Sequence, residues 1–151
     1  MQYSGIIFNK QVLELFEAEI RKFGLKETGG VLLGATKKDI VHVKKATDGG
    51  PKAIHRREYF RADPDYIDMF LEMELANSAE NIKYLGEWHS HPQKIPKPSY
   101  KDISSLLEIA SSHNNFALLV IIGAIDFNTE EIYRQSCSLV SETGNKFYEL
   151  E

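Results

Sequence analysis

The chain has 151 residues, 42% hydrophobic and 26% charged, enough to bury one self-sufficient core and too apolar for wholesale disorder. A net charge of −4 with scattered lysines and arginines argues against a general nucleic-acid-binding surface. The single cysteine, Cys137, rules out an intrachain disulfide and a cysteine-rich zinc knuckle, and it fits a reducing compartment.

Residues 1–5 lack the basic start and apolar core of a secretion signal. The longest apolar run, 116–125, is about half of a membrane span. A soluble cytoplasmic protein of one domain, 1–151, is expected. In chain order, Val12, Phe16, Ile20 and Phe23 recur at helical spacing and predict an amphipathic helix over 9–23, with Gly24 at the C′ position. A glycine-bounded apolar strand follows at 28–34. Over 39–47, Ile40, His42 and Lys44 alternate with Val41 and Val43, predicting a hairpin turned around 35–38.

Asp48-Gly49-Gly50-Pro51 breaks regular structure, so 48–57 is expected as a mobile loop with His55-Arg56-Arg57 in solvent. A short strand at 58–61 leads to a second helix, with Asp63 as N-cap and Pro64 at the first helical position. Its buried stripe is expected to be Tyr66, Ile67, Phe70, Leu71 and Leu75. A strand at 83–91, a proline-stiffened loop at 92–98 and a helix at 99–113 come next. The apolar run 116–125 suits a central strand covered on both faces, and strands at 131–140 and 146–150 complete the chain. This irregular alternation predicts an α/β (α+β) fold, a mixed sheet sandwiched by helices.

The densest chemistry lies in His89-Ser90-His91 and Ser99-Tyr100-Lys101-Asp102. On a strand, His89 and His91 share a face and can converge on one ion. On a helix, Ser99 and Asp102 share a face. Two imidazole nitrogens and one carboxylate oxygen form a three-ligand set with an open fourth position, the pattern of catalytic rather than structural zinc. Ser99-x-x-Asp102 alone reads as a helix capping box. The two roles are compatible. Two imidazoles side by side in a protein interior need partners, and a metal supplies one. His42, His55 and His113 have no acidic or histidine neighbour at ligand spacing, and Trp88 falls on the face opposite His89, where it is expected in the core. Cys137 reads as a small buried apolar residue. HExxH, P-loop, GxSxG and GxGxxG motifs are absent from the sequence.

Hydrolysis at such a centre needs a carboxylate outside the ligand set to move the proton. Spacing alone leaves two glutamates level. Glu87 shares the strand face of His89 and can orient its imidazole. Glu27 precedes a glycine-rich strand that lets a substrate or backbone approach closely.

Glu27 ahead of Gly30-Val31-Leu32-Leu33-Gly34, with Trp88-His89-Ser90-His91-Pro92 and Ser99-x-x-Asp102 further on, resembles the JAMM motif of the JAB/MPN metalloprotease family. The resemblance implies the MPN/JAB1 fold, a curved mixed β-sheet flanked by helices and cytidine-deaminase-like. It implies Zn2+ held by His89, His91 and Asp102, Glu27 as general acid/base, and Ser99 as hydrogen-bond donor to the water or oxyanion. The implied activity is hydrolysis of the amide bond after the C-terminus of ubiquitin or a ubiquitin-like modifier. The expected partner is that modifier or its conjugate, with neither nucleic acid nor membrane. The chain is most similar to bacterial single-domain members, which act as deconjugases or trim sulfur-carrier proteins. Residues 93–98 lack the aromatic and cysteine-containing pattern of eukaryotic deubiquitinases. The 48–57 stretch is expected to order as an edge against an extended tail. A non-catalytic MPN scaffold and a zinc hydrolase of small amides are the competing readings.

Overall fold

The computed structural model describes residues 4–76, 81–91, 99–111, 117–124, 133–141 and 144–149. Expectations placed on the 92–98 loop, on His113 and on the Cys137 side chain lie outside the described residues. Within them the chain runs β1 (Gly5–Phe8), α1 (Lys10–Phe23), β2 (Gly29–Lys37), β3 (Ile40–Ala46), β4 (Ile54–Arg56), β5 (Tyr59–Arg61) and α2 (Pro64–Ala76). It continues through β6 (Lys83–His91), α3 (Tyr100–Ser111), β7 (Ala117–Ala124), β8 (Tyr133–Ser141) and β9 (Gly144–Glu149). Seven strands form one mixed sheet in the order β1-β3-β2-β6-β7-β8-β9, and β4 and β5 form a separate hairpin.

Strand alternation divides the core between the two faces of this sheet. On one face Val12, Phe16 and Ile20 of α1 pack with Leu32, Val41, Val43, Leu85, Trp88, Leu118, Val120 and Ile122, each such burial being worth about 1.5–3 kcal/mol. Phe16 and Trp88 meet with ring centroids 4.6 Å apart. On the other face Leu106 of α3 packs with Ala117, Leu119 and Ile121, with Ile109 at its edge. β7 is therefore central and covered on both sides, as its apolar run predicts. Gly24 ends α1 with φ of 57° and donates its N–H to the Ile20 carbonyl at 2.9 Å, a positive φ that glycine accepts without steric cost.

Several expectations are corrected. β1, unassigned from sequence, pairs in parallel with β3; four residues are too few to show a period. The β2–β3 turn is tighter than expected: Lys37 pairs with Ile40, and Lys38 takes a φ of 56°. Two-residue hairpins demand such backbone, and here a lysine supplies it in place of the usual glycine or asparagine. Residues 54–56 are not loop but strand, paired to β5 as Ile54↔Arg61, His55↔Phe60 and Arg56↔Tyr59. In α2 Ile67 is buried, Tyr66, Phe70 and Leu71 are intermediate, and Leu75 is exposed. Asp63 does open that helix: its carboxylate accepts from the Tyr66 N–H at 3.4 Å and also from the Lys52 N–H at 3.2 Å.

Candidate metal centre

β6 carries the two histidines because its alternation puts Trp88 and Ser90 in the α1-side core and leaves Glu87, His89 and His91 facing α3. Trp88 is 1% exposed, and its Nε1–H donates to the Thr47 carbonyl at 2.8 Å, which ties β6 to the chain just after β3. β2 lies alongside with Gly29 opposite His89 and Gly30 opposite Trp88. Glycine is required at both. A Cβ at Gly29 would stand 2.4 Å from the Trp88 carbonyl oxygen and 2.9 Å from the Phe60 ring, and one at Gly30 would stand 2.0 Å from the Thr47 carbonyl oxygen.

The start of α3 closes the site. Ser99 and Asp102 form the reciprocal box expected of them: the Asp102 carboxylate accepts the Ser99 N–H at 2.7 Å, and the Ser99 hydroxyl accepts the Asp102 N–H at 3.1 Å. The same carboxylate reaches both imidazoles, Oδ1 lying 3.3 Å from His89 Nε2 and Oδ2 3.3 Å from His91 Nε2. The two Nε2 atoms are 3.1 Å apart. Burial pushes the Asp102 carboxyl up, but hydrogen bonds from both imidazoles, the His89 charge and the Ser99 N–H outweigh it and hold Asp102 well below the usual carboxylate range.

These separations test whether the residues fit a metal. A tetrahedral zinc with bonds of about 2.0–2.1 Å places its ligand atoms roughly 3.3–3.4 Å apart. The two Nε2 atoms, 3.1 Å apart, each with a different Asp102 oxygen at 3.3 Å, lie near that spacing, and their N, N, O chemistry suits the ion.

Glu27 stands just before β2, and its carboxylate lies within 4.8 Å of donor atoms of His89 and His91. Burial raises its pKa, opposed by His89 and His91 and assisted by Asp102 and Glu58. Glu87 faces the same side, also raised by burial and opposed by His89. All six residues, Glu27, Glu87, His89, His91, Ser99 and Asp102, line one cleft of about 610 Å³ between the β4–β5 hairpin and α3. Arg57, Arg61 and Lys101 stand at its wall, and the Lys101 ammonium lies over the Tyr59 ring at 5.7 Å, bridging α3 to β5.

Sequence reasoning missed what holds Glu27 in place. Buried Ser90 grips the next residue, its hydroxyl accepting the Thr28 N–H at 3.0 Å and its N–H donating to the Thr28 carbonyl at 2.8 Å. Thr28 in turn donates its hydroxyl to the buried Glu19 carboxylate at 2.9 Å. Nothing local in the sequence signals these pairs, because Ser90 and Thr28 stand 62 positions apart.

A mixed sheet flanked by helices thus brings His89, His91, Asp102 and Glu27 to one cleft. The family model for prokaryotic homologs of the JAB domain matches residues 9–138, and the chain belongs to that family. Among curated proteins it is similar to one named CD-NTase/cGAS isopeptidase from Enterobacter hormaechei subsp. hoffmannii, 28% identical over 78% of this chain and 67% of that protein. Proteins of the same name from Pseudomonas aeruginosa and Vibrio cholerae serotype O1 are 29% and 31% identical, over 77% and 67% of this chain and 75% and 64% of their own lengths. The solution structure of a Desulfitobacterium hafniense protein shares the fold with a TM-score of 0.68, at 20% identity, over 97% of this chain and 91% of that one. Among the described residues no helix is long and apolar enough to cross a membrane.

Proposed function

We propose that this chain is a zinc-dependent isopeptidase or peptidase of the JAMM type, hydrolysing the amide bond that follows the C-terminus of a ubiquitin-like modifier. The observation that carries the reading is the convergence of His89 Nε2 and His91 Nε2, 3.1 Å apart, on the Asp102 carboxylate, whose Oδ1 and Oδ2 each lie 3.3 Å from one of them, with the Glu27 carboxylate close by. His89, His91 and Asp102 would hold the ion, leaving Glu27 outside the ligand set. A bound zinc lowers the pKa of water towards about 7 and polarises a carbonyl.

The protein's own groups do the rest. Glu27, partly buried and with its proton affinity raised, takes the proton from the attacking water and returns it to the departing amine. Ser99 accepts the Asp102 N–H through its oxygen, so its own proton is left to donate to the developing oxyanion. The Ser99 N–H donated to the Asp102 carboxylate at 2.7 Å orients it as a ligand.

The substrate tail is proposed to enter along β5. The 48–57 edge expected from sequence is already used: β4 is paired to β5 on one side, and on the other the Arg56 carbonyl accepts the Glu27 N–H at 2.7 Å. Among the described residues β5 pairs with β4 alone, so its outer edge is the one that faces the cleft and suits strand addition. The relatives' printed name points to conjugates of a nucleotidyltransferase of the CD-NTase type as the first acceptors to try.

The test combines metal analysis with cleavage. Purified chain should retain one zinc, lose activity on chelation and regain it on zinc addition, and release a ubiquitin-like protein from a lysine conjugate or a linear fusion. Absence of bound metal would support the scaffold reading. Cleavage of small amides with none of the conjugate would support the small-amide hydrolase.

A further inference from the structure

Glu27 sits outside the regular ladder of the sheet. The β2–β6 pairing begins at Gly29↔His89, and the Ser90 contacts extend it only to Thr28. The peptide groups of Glu27 itself are bonded to β4 instead. Its N–H goes to the Arg56 carbonyl at 2.7 Å, and its carbonyl meets Nδ1 of His55 at 3.0 Å. The first bond is backbone to backbone and any residue can make it. The second needs the His55 side chain. A carbonyl only accepts, so His55 carries its proton on Nδ1.

The His55 ring is held for this task. It stacks on Phe23, the last residue of α1, with centroids 3.6 Å apart and planes 13° from parallel. It also lies 5.4 Å from the ring of Phe60, its cross-strand partner. One imidazole thus ties together the end of α1, the β4–β5 hairpin and the residue preceding β2.

We infer that His55 is a positioning residue for the reaction: by donating Nδ1–H to the Glu27 carbonyl it fixes the backbone that aims the Glu27 carboxylate at the site of proton transfer. This rests on the reading above that Glu27 moves the proton. Misplacing a reacting group by about 1 Å can cost on the order of 10²-fold in rate.

The test compares His55→Phe, which keeps the stack on Phe23 and removes the donor, with His55→Asn, which offers an amide donor near Nδ1. Both are assayed with zinc-loaded protein on a linear fusion of a ubiquitin-like protein to a reporter. Expected are a kcat lowered roughly 10- to 100-fold in His55→Phe, unchanged KM and zinc content, and recovery to within a few-fold of wild type in His55→Asn. In a Glu27→Gln background, His55→Phe should lower kcat no further, because the two act through one group. Nitrogen-15 spectra of the zinc-free protein should show the His55 proton on Nδ1. A wild-type kcat in His55→Phe, a proton on Nε2, or equal losses in both variants tracking a fall in Tm would each overturn the inference. An active Glu27→Gln single variant would instead overturn the assignment of the base, so the two failures are separable.

Discussion

Replacing Glu27 with glutamine removes the proposed proton carrier and keeps the side chain's size and hydrogen-bonding shape. The geometry makes this substitution discriminating, because two overlapping sets share the histidines. His89 Nε2 and His91 Nε2 lie 3.1 Å apart, each with one Asp102 oxygen at 3.3 Å, and the Glu27 carboxylate lies within 4.8 Å of the same two histidines. A tetrahedral ion has edges of roughly 3.3–3.4 Å, near the spacing of the set with Asp102, and Glu27 is kept in the proposed mechanism for proton transfer. General acid–base catalysis contributes typically about 10²–10⁴ in rate, which converts at about 1.36 kcal/mol per decade to about 2.7–5.4 kcal/mol of barrier. Glu27→Gln should therefore lose two to four decades of single-turnover rate on a ubiquitin-like fusion while retaining one zinc per chain. Zinc is measured by elemental analysis and by competition with a chromogenic chelator, on the same samples. Cleavage within tenfold of wild type would refute Glu27 as the base. Loss of zinc together with activity would refute its place outside the ligand set.

Ser99→Ala removes the helix cap and the proposed oxyanion donor, so two readouts should move together: turnover falls by about 10²–10³, and stability falls by about 0.5–2 kcal/mol in denaturant titration. Unchanged turnover with lowered stability would leave Ser99 as a cap alone. Gly30→Ala should destabilise by about 1–3 kcal/mol or more, because its Cβ would meet the Thr47 carbonyl oxygen at 2.0 Å where that oxygen already accepts the Trp88 Nε1–H; an unshifted Tm would contradict the close approach of these strands. Glu19 is raised above its ordinary value by burial and by Asp48, against the Thr28 hydrogen bond, Lys22 and His55. The native state therefore binds its proton more tightly than the unfolded chain, and stability falls as pH rises from the ordinary glutamate value through the raised one. Glu19→Gln keeps an oxygen for Thr28 and has no such loss, so its stability relative to wild type should improve from pH 4 to pH 8 in urea midpoints; a relative decline would reverse the sign.

The contrast between what sequence reveals and what it hides follows the range of the interactions. His89 and His91 are readable together because a strand repeats every two residues, and Ser99 with Asp102 because a helix brings i and i+3 together. Each pair is local, and the structure joins the pairs through Asp102 contacts of 3.3 Å to both rings. Glu27 is different. Its approach to the histidines depends on β2 pairing with β6 in a register that sets Gly29 against His89, and no periodicity within either segment encodes that register. Spacing left it level with Glu87, and only resemblance to a known motif separated them. His55 was hidden further, since its ring finds Phe23 and the Glu27 carbonyl across a hairpin whose strands are three residues each, too short to show alternation. The exposed side of α2 is hidden for a related reason: helical spacing marks which residues share a face, not what packs against it, and Leu75 is left 39% exposed. Local chemistry is thus written in the spacing, while the groups that aim it are written in strand register, which is why the residues holding Glu27 in place, Ser90, Thr28, Arg56 and His55, all emerged only when the sheet was assembled.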